Sequence, residues 1–201
     1  SSKTTLAMQK DPSTGGYYLK NTGNQGWAQN VNSNGTTGGD KVSYGFFPFN
    51  ENTTAASGKN YNYGFGTKLE IKFRLTADGT VLGDNEKKVP ITFAFSGDDD
   101  VWVFIDGKLA LDVGGAHGEV TGTLDFKNLE AKVSKVKKSA ASGDAGEEGT
   151  DKTTGFTLKG DKQDEHTLTM FYMERGMWES NMMIAFNFPD DNEFAVEKQV
   201  D

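Results

Sequence analysis

Phe93-Ala94-Phe95-Ser96-Gly97-Asp98-Asp99-Asp100-Val101-Trp102-Val103-Phe104-Ile105-Asp106-Gly107-Lys108-Leu109-Ala110-Leu111-Asp112-Val113 decides the reading of the whole chain. Ile91-Thr92-Phe93-Ala94-Phe95, at its start, alternates apolar and small or polar residues, the period of two that marks a half-buried strand. Val101 to Ile105 is apolar on both faces, as a strand inside a sheet must be. Asp106-Gly107 interrupts that run, and Leu109, Leu111 and Val113 resume the alternation. A type I′ turn needs positive φ at both central residues, and Asp-Gly meets that need, so the two strands read as one hairpin.

Outward from this hairpin, the same period recurs. Leu69, Ile71, Phe73 and Leu75 point one way, and Glu70, Lys72 and Arg74 the other. Ala77-Asp78-Gly79-Thr80 is a turn signal, and a short strand runs near Val120 to Phe126. Thr167 to Met173 and Met182 to Phe188 are the last strong strands, joined by the polar loop from Glu174 to Asn181. The first 60 residues are irregular, with short strands joined by long loops expected in the Gly-, Asn-, Ser- and Thr-rich residues 1–45 and an apolar cluster at Phe46-Phe47-Pro48-Phe49. Around 130–152, lysines and then carboxylates among Ala, Ser and Gly read as a flexible, solvated insertion. Many short strands with no long helix predict an all-β chain, an antiparallel β-sandwich with long loops. Residues 1–190 form one domain on this reading, and 191–201 a linker or the start of another.

The chain has 201 residues, enough for a single large β domain. Its net charge of -8 disfavours nucleic acid and anionic membrane surfaces. No run of about 18 apolar residues is present, so no helical membrane insertion is expected. A cysteine count of 0 excludes disulfides, thiolate zinc sites and a cysteine nucleophile. The start at Ser1, with no leader pattern, reads as a mature or excised fragment of a longer chain.

Gly97-Asp98-Asp99-Asp100 is the sharpest chemical feature. Consecutive carboxylates repel one another, and hard oxygen ligands in a Gly-flanked loop suit Ca²⁺. An acidic turn without metal is the plain alternative. Asn181 and carbonyls of the 174–181 loop are candidate neutral ligands, because a sandwich gathers such loops at its ends. Trp178 is either an apolar platform for a sugar ring or a core residue at a strand end. Glu174 and Arg175 could touch a ligand or form an ion pair worth under about 1 kcal/mol if exposed. His117, near Asp112, reads as a structural histidine, and His166 as a cap on the entry to a strand. No Ser-His-Asp spacing, nucleophile elbow, HExxH or P-loop stands out, so no enzyme is expected.

Phe93 to Leu109, Leu111 to Gly118, His166 to Gly176, Ser180-Asn181 and Phe186-Asn187 together resemble the fibro-slime domain, a PA14-like module of Gram-positive surface proteins. Gly45 to Asn50 and Asn62 to Gly66 extend the resemblance upstream. It implies a β-sandwich in which two adjacent aspartates, joined by a cis peptide, bind Ca²⁺, and the ion ligates vicinal sugar hydroxyls. Asp98 and Asp99 would be that pair, with Asp100 beside them. The tail from Glu193 to Asp201 resembles the opening strand of Cna-B-type domains, which would place Lys198 in a following domain.

The expectation is therefore a non-catalytic adhesion module of a bacterial surface protein, extracellular and cell-wall anchored through a longer multidomain chain. Ca²⁺ would be held by Asp98, Asp99, Asp100 and Asn181. A carbohydrate would be met by Asp98, Asp99, Glu174, Arg175 and Trp178. A structural stalk or spacer stabilised by Ca²⁺ is the alternative.

Overall fold

The computed structural model describes residues 8–11, 13–20, 46, 64–83, 86–97, 100–115, 120–134, 151–174, 180, 182–189 and 194–195. Among the described residues there are fourteen strands and no helix. They are β1 (Gln9–Lys10), β2 (Tyr17–Lys20), β3 (Phe65–Phe73), β4 (Thr80–Leu82), β5 (Lys88–Pro90), β6 (Thr92–Gly97) and β7 (Asp100–Ile105). β8 (Lys108–Val113), β9 (Val120–Asp125), β10 (Glu130–Val133), β11 (Lys152–Gly155), β12 (His166–Glu174), β13 (Met182–Phe186) and β14 (Phe194–Ala195) complete the set.

Two sheets pack face to face as a β-sandwich. One is seven-stranded in the order β1-β2-β13-β6-β9-β10-β11, the other five-stranded in the order β14-β3-β12-β7-β8. The small β4-β5 ribbon stands apart. Every pairing is antiparallel, which lets one face of each sheet be apolar and the other solvated.

The period of two does what it predicts. In β3, Phe65, Leu69, Ile71 and Phe73 are buried, while Lys68, Glu70 and Lys72 between them are more exposed. Phe93 and Phe95 of β6 and Ile184 of β13 face them from the other sheet's side of the core. Phe73 stacks on Phe188 at 4.4 Å and meets Phe126 edge-on at 5.2 Å, closing one end of the core with rings.

The hairpin forms as read. Asp106 and Gly107 take φ of 50° and 77°, and Val101 pairs with Val113 at the far end of the ladder. One detail departs from simple alternation. The register slips between Val103 and Phe104, so Val103 opposes Leu111 but Phe104 opposes Leu109. Ala110 is the extra residue of this bulge. It is buried with Leu111, while Leu109 is turned out to 50 % exposure. A bulge inverts the facing of everything beyond it, which a strict alternation rule misses.

Three segments carry strands beyond those named from the sequence. β1 and β2, short strands of the kind expected in the first 45 residues, join the seven-stranded sheet through β13. β10 and β11 pair with each other from Glu130↔Gly155 to Val133↔Lys152, so both flanks of the supposed insertion are strands. Phe194–Ala195 pairs with Ile71 and Glu70 of β3.

Candidate functional site

β12 is the longest strand of its sheet together with β3, and each of its ends carries a buried polar group: His166 at the start, Glu174 at the finish. Alternation places them there. His166, Leu168, Met170, Tyr172 and Glu174 share one parity and all are buried. The two ends are the candidate sites, because a buried titratable group has to be explained by its partners.

At the Glu174 end, Glu174 is 2 % exposed and its Oε2 accepts a hydrogen bond from the Tyr172 hydroxyl at 3.0 Å. Tyr172 also lies 3.2 Å from the Ser180 hydroxyl, which donates to the Phe46 carbonyl at 2.8 Å. The Phe46 amide returns a bond to the Ser180 carbonyl at 2.7 Å. The rings of Phe46, Phe65 and Tyr172 lie within 6 Å of one another and keep water from this network. Asp100, which lies opposite Met173, is buried, and its Oδ1 accepts the Gly115 amide at 2.5 Å. Asp112 accepts the Gly114 amide at 3.0 Å. A side chain at Gly114 would press on the indole of Trp102, its Cβ 3.1 Å from Cζ2, so glycine lets this loop lie flat on the sheet.

The His166 end is built differently. β7 stops at Ile105, which opposes Leu168, so the Asp106-Gly107 turn lies beside the first residues of β12. The Asp106 amide donates to the Thr167 carbonyl at 2.9 Å, and Thr167 returns its own amide to Asp106 Oδ1 at 2.9 Å. Asp106 Oδ2 accepts the Lys159 amide at 2.9 Å and lies 2.9 Å from His166 Nδ1. His166 Nε2 lies 2.9 Å from the Asp161 carbonyl, and the ring, 0 % exposed, rests 5.5 Å from that of Phe73. Burial raises the Asp106 pKa, but the amides of Lys159 and Thr167 and the His166 ring outweigh it and hold the carboxyl below the usual carboxylate range.

The sequence-derived site is thus placed only in part. Asp98, Asp99, Arg175, Trp178 and Asn181 lie outside the described residues, as does the Asp98–Asp99 peptide; so does His117. Asp100 and Glu174 are described, and both point inward and serve internal hydrogen bonds. The reading of Glu174 as a loop residue overlooked that it keeps the parity of the buried β12 positions. Asp106 and Ser180 were missed. Asp106 was hidden by its turn role, and its partner is 60 residues away in sequence.

Searches for relatives bear on the remaining expectations. No family model matches the chain, and no solved structure matches it. Among curated proteins it is similar to psiF of Dictyostelium discoideum, 30% identical over 200 residues, covering 89% of this chain and 25% of psiF. It is also similar to psiP, 38% identical over 84 residues (42% of this chain, 10% of psiP), and to psiG, 59% identical over 45 residues (22% and 6%), from the same organism. The chain therefore spans a quarter or less of the length of these relatives.

These findings correct the resemblance. The relatives are eukaryotic psi proteins, so the assignment to a fibro-slime, PA14-like adhesin of Gram-positive bacteria falls. The calcium-held, sugar-binding adhesion function falls too, in its stalk form as well. Among the described residues no group of three or more His, Asp or Glu side chains converges to hold a metal ion. Of the residues assigned to that function, Asp100 and Glu174 are turned inward, Asp100 to the Gly115 amide and Glu174 to the Tyr172 hydroxyl.

Proposed function

We propose that this chain is a non-catalytic β-sandwich module of a longer extracellular protein, and that it meets another folded domain through the outer face of its five-stranded sheet. The observation that carries the reading is the apolar character of that face. Phe171 and Met173 of β12 are 38% and 42% exposed. Phe171 opposes Trp102 across the ladder and meets Phe104 edge-on at 5.9 Å. Leu109, turned out by the bulge, opposes Phe104. Aromatic residues and methionine are the types enriched where protein surfaces meet, and a contiguous exposed patch of them on a soluble face is a contact surface by default.

Around the patch the chemistry is polar. Lys68, directly opposite Phe171, is bound to Glu70 at 2.7 Å, and Asp112 opposes Trp102. A charged rim around an apolar centre is the usual anatomy of a protein–protein contact. The short match to much longer relatives supports a modular setting.

Hydroxyl-radical footprinting of the longer protein tests the reading. The side chains of Trp102, Phe171 and Met173 are expected to be oxidised several-fold more slowly there than in the isolated chain. Equal oxidation of the three in both forms would show that nothing covers this face.

A further inference from the structure

The His166 end carries an inference independent of the proposed contact face. Both ring nitrogens face oxygen atoms that can only accept once Asp106 is ionised: its Oδ2 at 2.9 Å from Nδ1, and the Asp161 carbonyl at 2.9 Å from Nε2. A neutral imidazole has one N–H and one lone pair, so either tautomer leaves a lone pair against an oxygen in a site with no water access. Moving a proton onto Asp106 would resolve the conflict at one nitrogen. It is opposed by the amides of Lys159 and Thr167, which favour the carboxylate and hold its affinity for protons down.

We infer that His166 is held as a buried imidazolium, and that the His166–Asp106 pair is a pH-sensitive clamp fastening the 159–164 loop to the β7–β8 turn. The other charged groups nearby do not compete for the ring. From β12's own approach, Glu165 is exposed and reaches Lys72 and Arg74 of the neighbouring β3 side at 3.8 and 3.7 Å. From the loop, Asp164 takes the Asp161 amide and Lys162 gives its ammonium to the Lys127 carbonyl, while Lys159 contributes its backbone and keeps its side chain exposed. From the hairpin, Asp106 is the charged group in contact with the ring, and from β3 the neighbour is the Phe73 ring.

Loss of the ring proton has a directional consequence. The remaining proton stays on Nδ1, opposite a full negative charge, and the bare Nε2 then repels the Asp161 carbonyl. The loop is released, and the hairpin stays bound through Thr167. The Leu75 amide, which donates to the Lys162 carbonyl of the same loop at 3.0 Å, reports the release.

Nitrogen-15 NMR of the histidine rings in the intact chain tests both parts. At pH 7 both ring nitrogens of His166 are expected to carry protons, and a ring with one proton at that pH overturns the inference. Above the pH at which the second proton leaves, hydrogen-exchange protection of the Leu75 and Asp164 amides should fall by about tenfold or more, while that of Tyr172 stays level. Unchanged protection at Leu75 would contradict the clamp. In His166→Gln the step in protection should vanish, and a step that persists would assign it to another group.

Discussion

The two ends of β12 solve one problem in opposite ways. At the Glu174 end, a carboxylate is buried beside hydroxyls, Tyr172 and Ser180, and aromatic rings seal it. At the His166 end, a carboxylate is buried against a histidine ring and two backbone amides. The first end joins residues close in the sheet, plus Phe46. The second joins three separate segments: the β7–β8 turn, the 159–164 loop and the head of β12. The difference teaches where the charge is needed. An ionic pair earns its burial cost only if every acceptor and donor around it is matched, and at Asp106 and His166 they are.

The largest break in that comparison is Asp106→Ala. It would leave the His166 ring and the amides of Thr167 and Lys159 without their acceptor, a loss of about 3–5 kcal/mol in urea unfolding. Tyr172→Phe, at the other end, removes one hydroxyl from the Glu174–Ser180 network and should lose about 1–2 kcal/mol by the same measurement. If Tyr172→Phe proves the more damaging of the two, the ranking of the ends is reversed.

Acid sharpens the contrast. The Asp106 carboxyl titrates below the ordinary aspartate range in the folded chain, so the stability it adds is full above that range and is lost as pH falls through the lowered value. On the acid side the stability gap between the parent chain and Asp106→Asn should therefore narrow as pH falls through the lowered value, read by thermal melting across pH. A gap that widens in acid would have the sign wrong.

The smaller effects lie outside the two networks. Asp100→Asn weakens one bond, to the Gly115 amide, and should lose about 1 kcal/mol. Phe171→Ser, on the outer face, should change stability by about 0.5 kcal/mol or less while removing the apolar centre of the contact patch. A large drop in melting temperature for Phe171→Ser would mean that the face supports the fold and is not reserved for a partner.

How much of this was legible from residues alone follows the range of each interaction. Strands β3, β6, β7, β12 and β13 are read from alternation, because a period of two is local. The Asp106-Gly107 turn is legible for the same reason. Leu109 was placed inward with Leu111 because nothing in the run Lys108 to Val113 announces a bulge, which arises from the pairing with β7. Asp100 reads from the sequence as one of three adjacent carboxylates, and the Gly115 amide that its Oδ1 accepts lies 15 residues away, beyond the reach of a local pattern. Glu174 could have been assigned inward from its parity with Leu168, Met170 and Tyr172, had the polar residue not been taken to end the strand. His166 was read as an entry cap, and its pairing with Asp106 required the sheet to bring them together.

The account turns on the His166–Asp106 pair acting as a unit, and a double-mutant cycle measures that directly. Urea unfolding of the parent, Asp106→Asn, His166→Gln and the combined variant at pH 6 should give a coupling of about 2 kcal/mol or more between the two positions. Additive losses, with no coupling, would show two independent polar residues where the structure calls for one clamp.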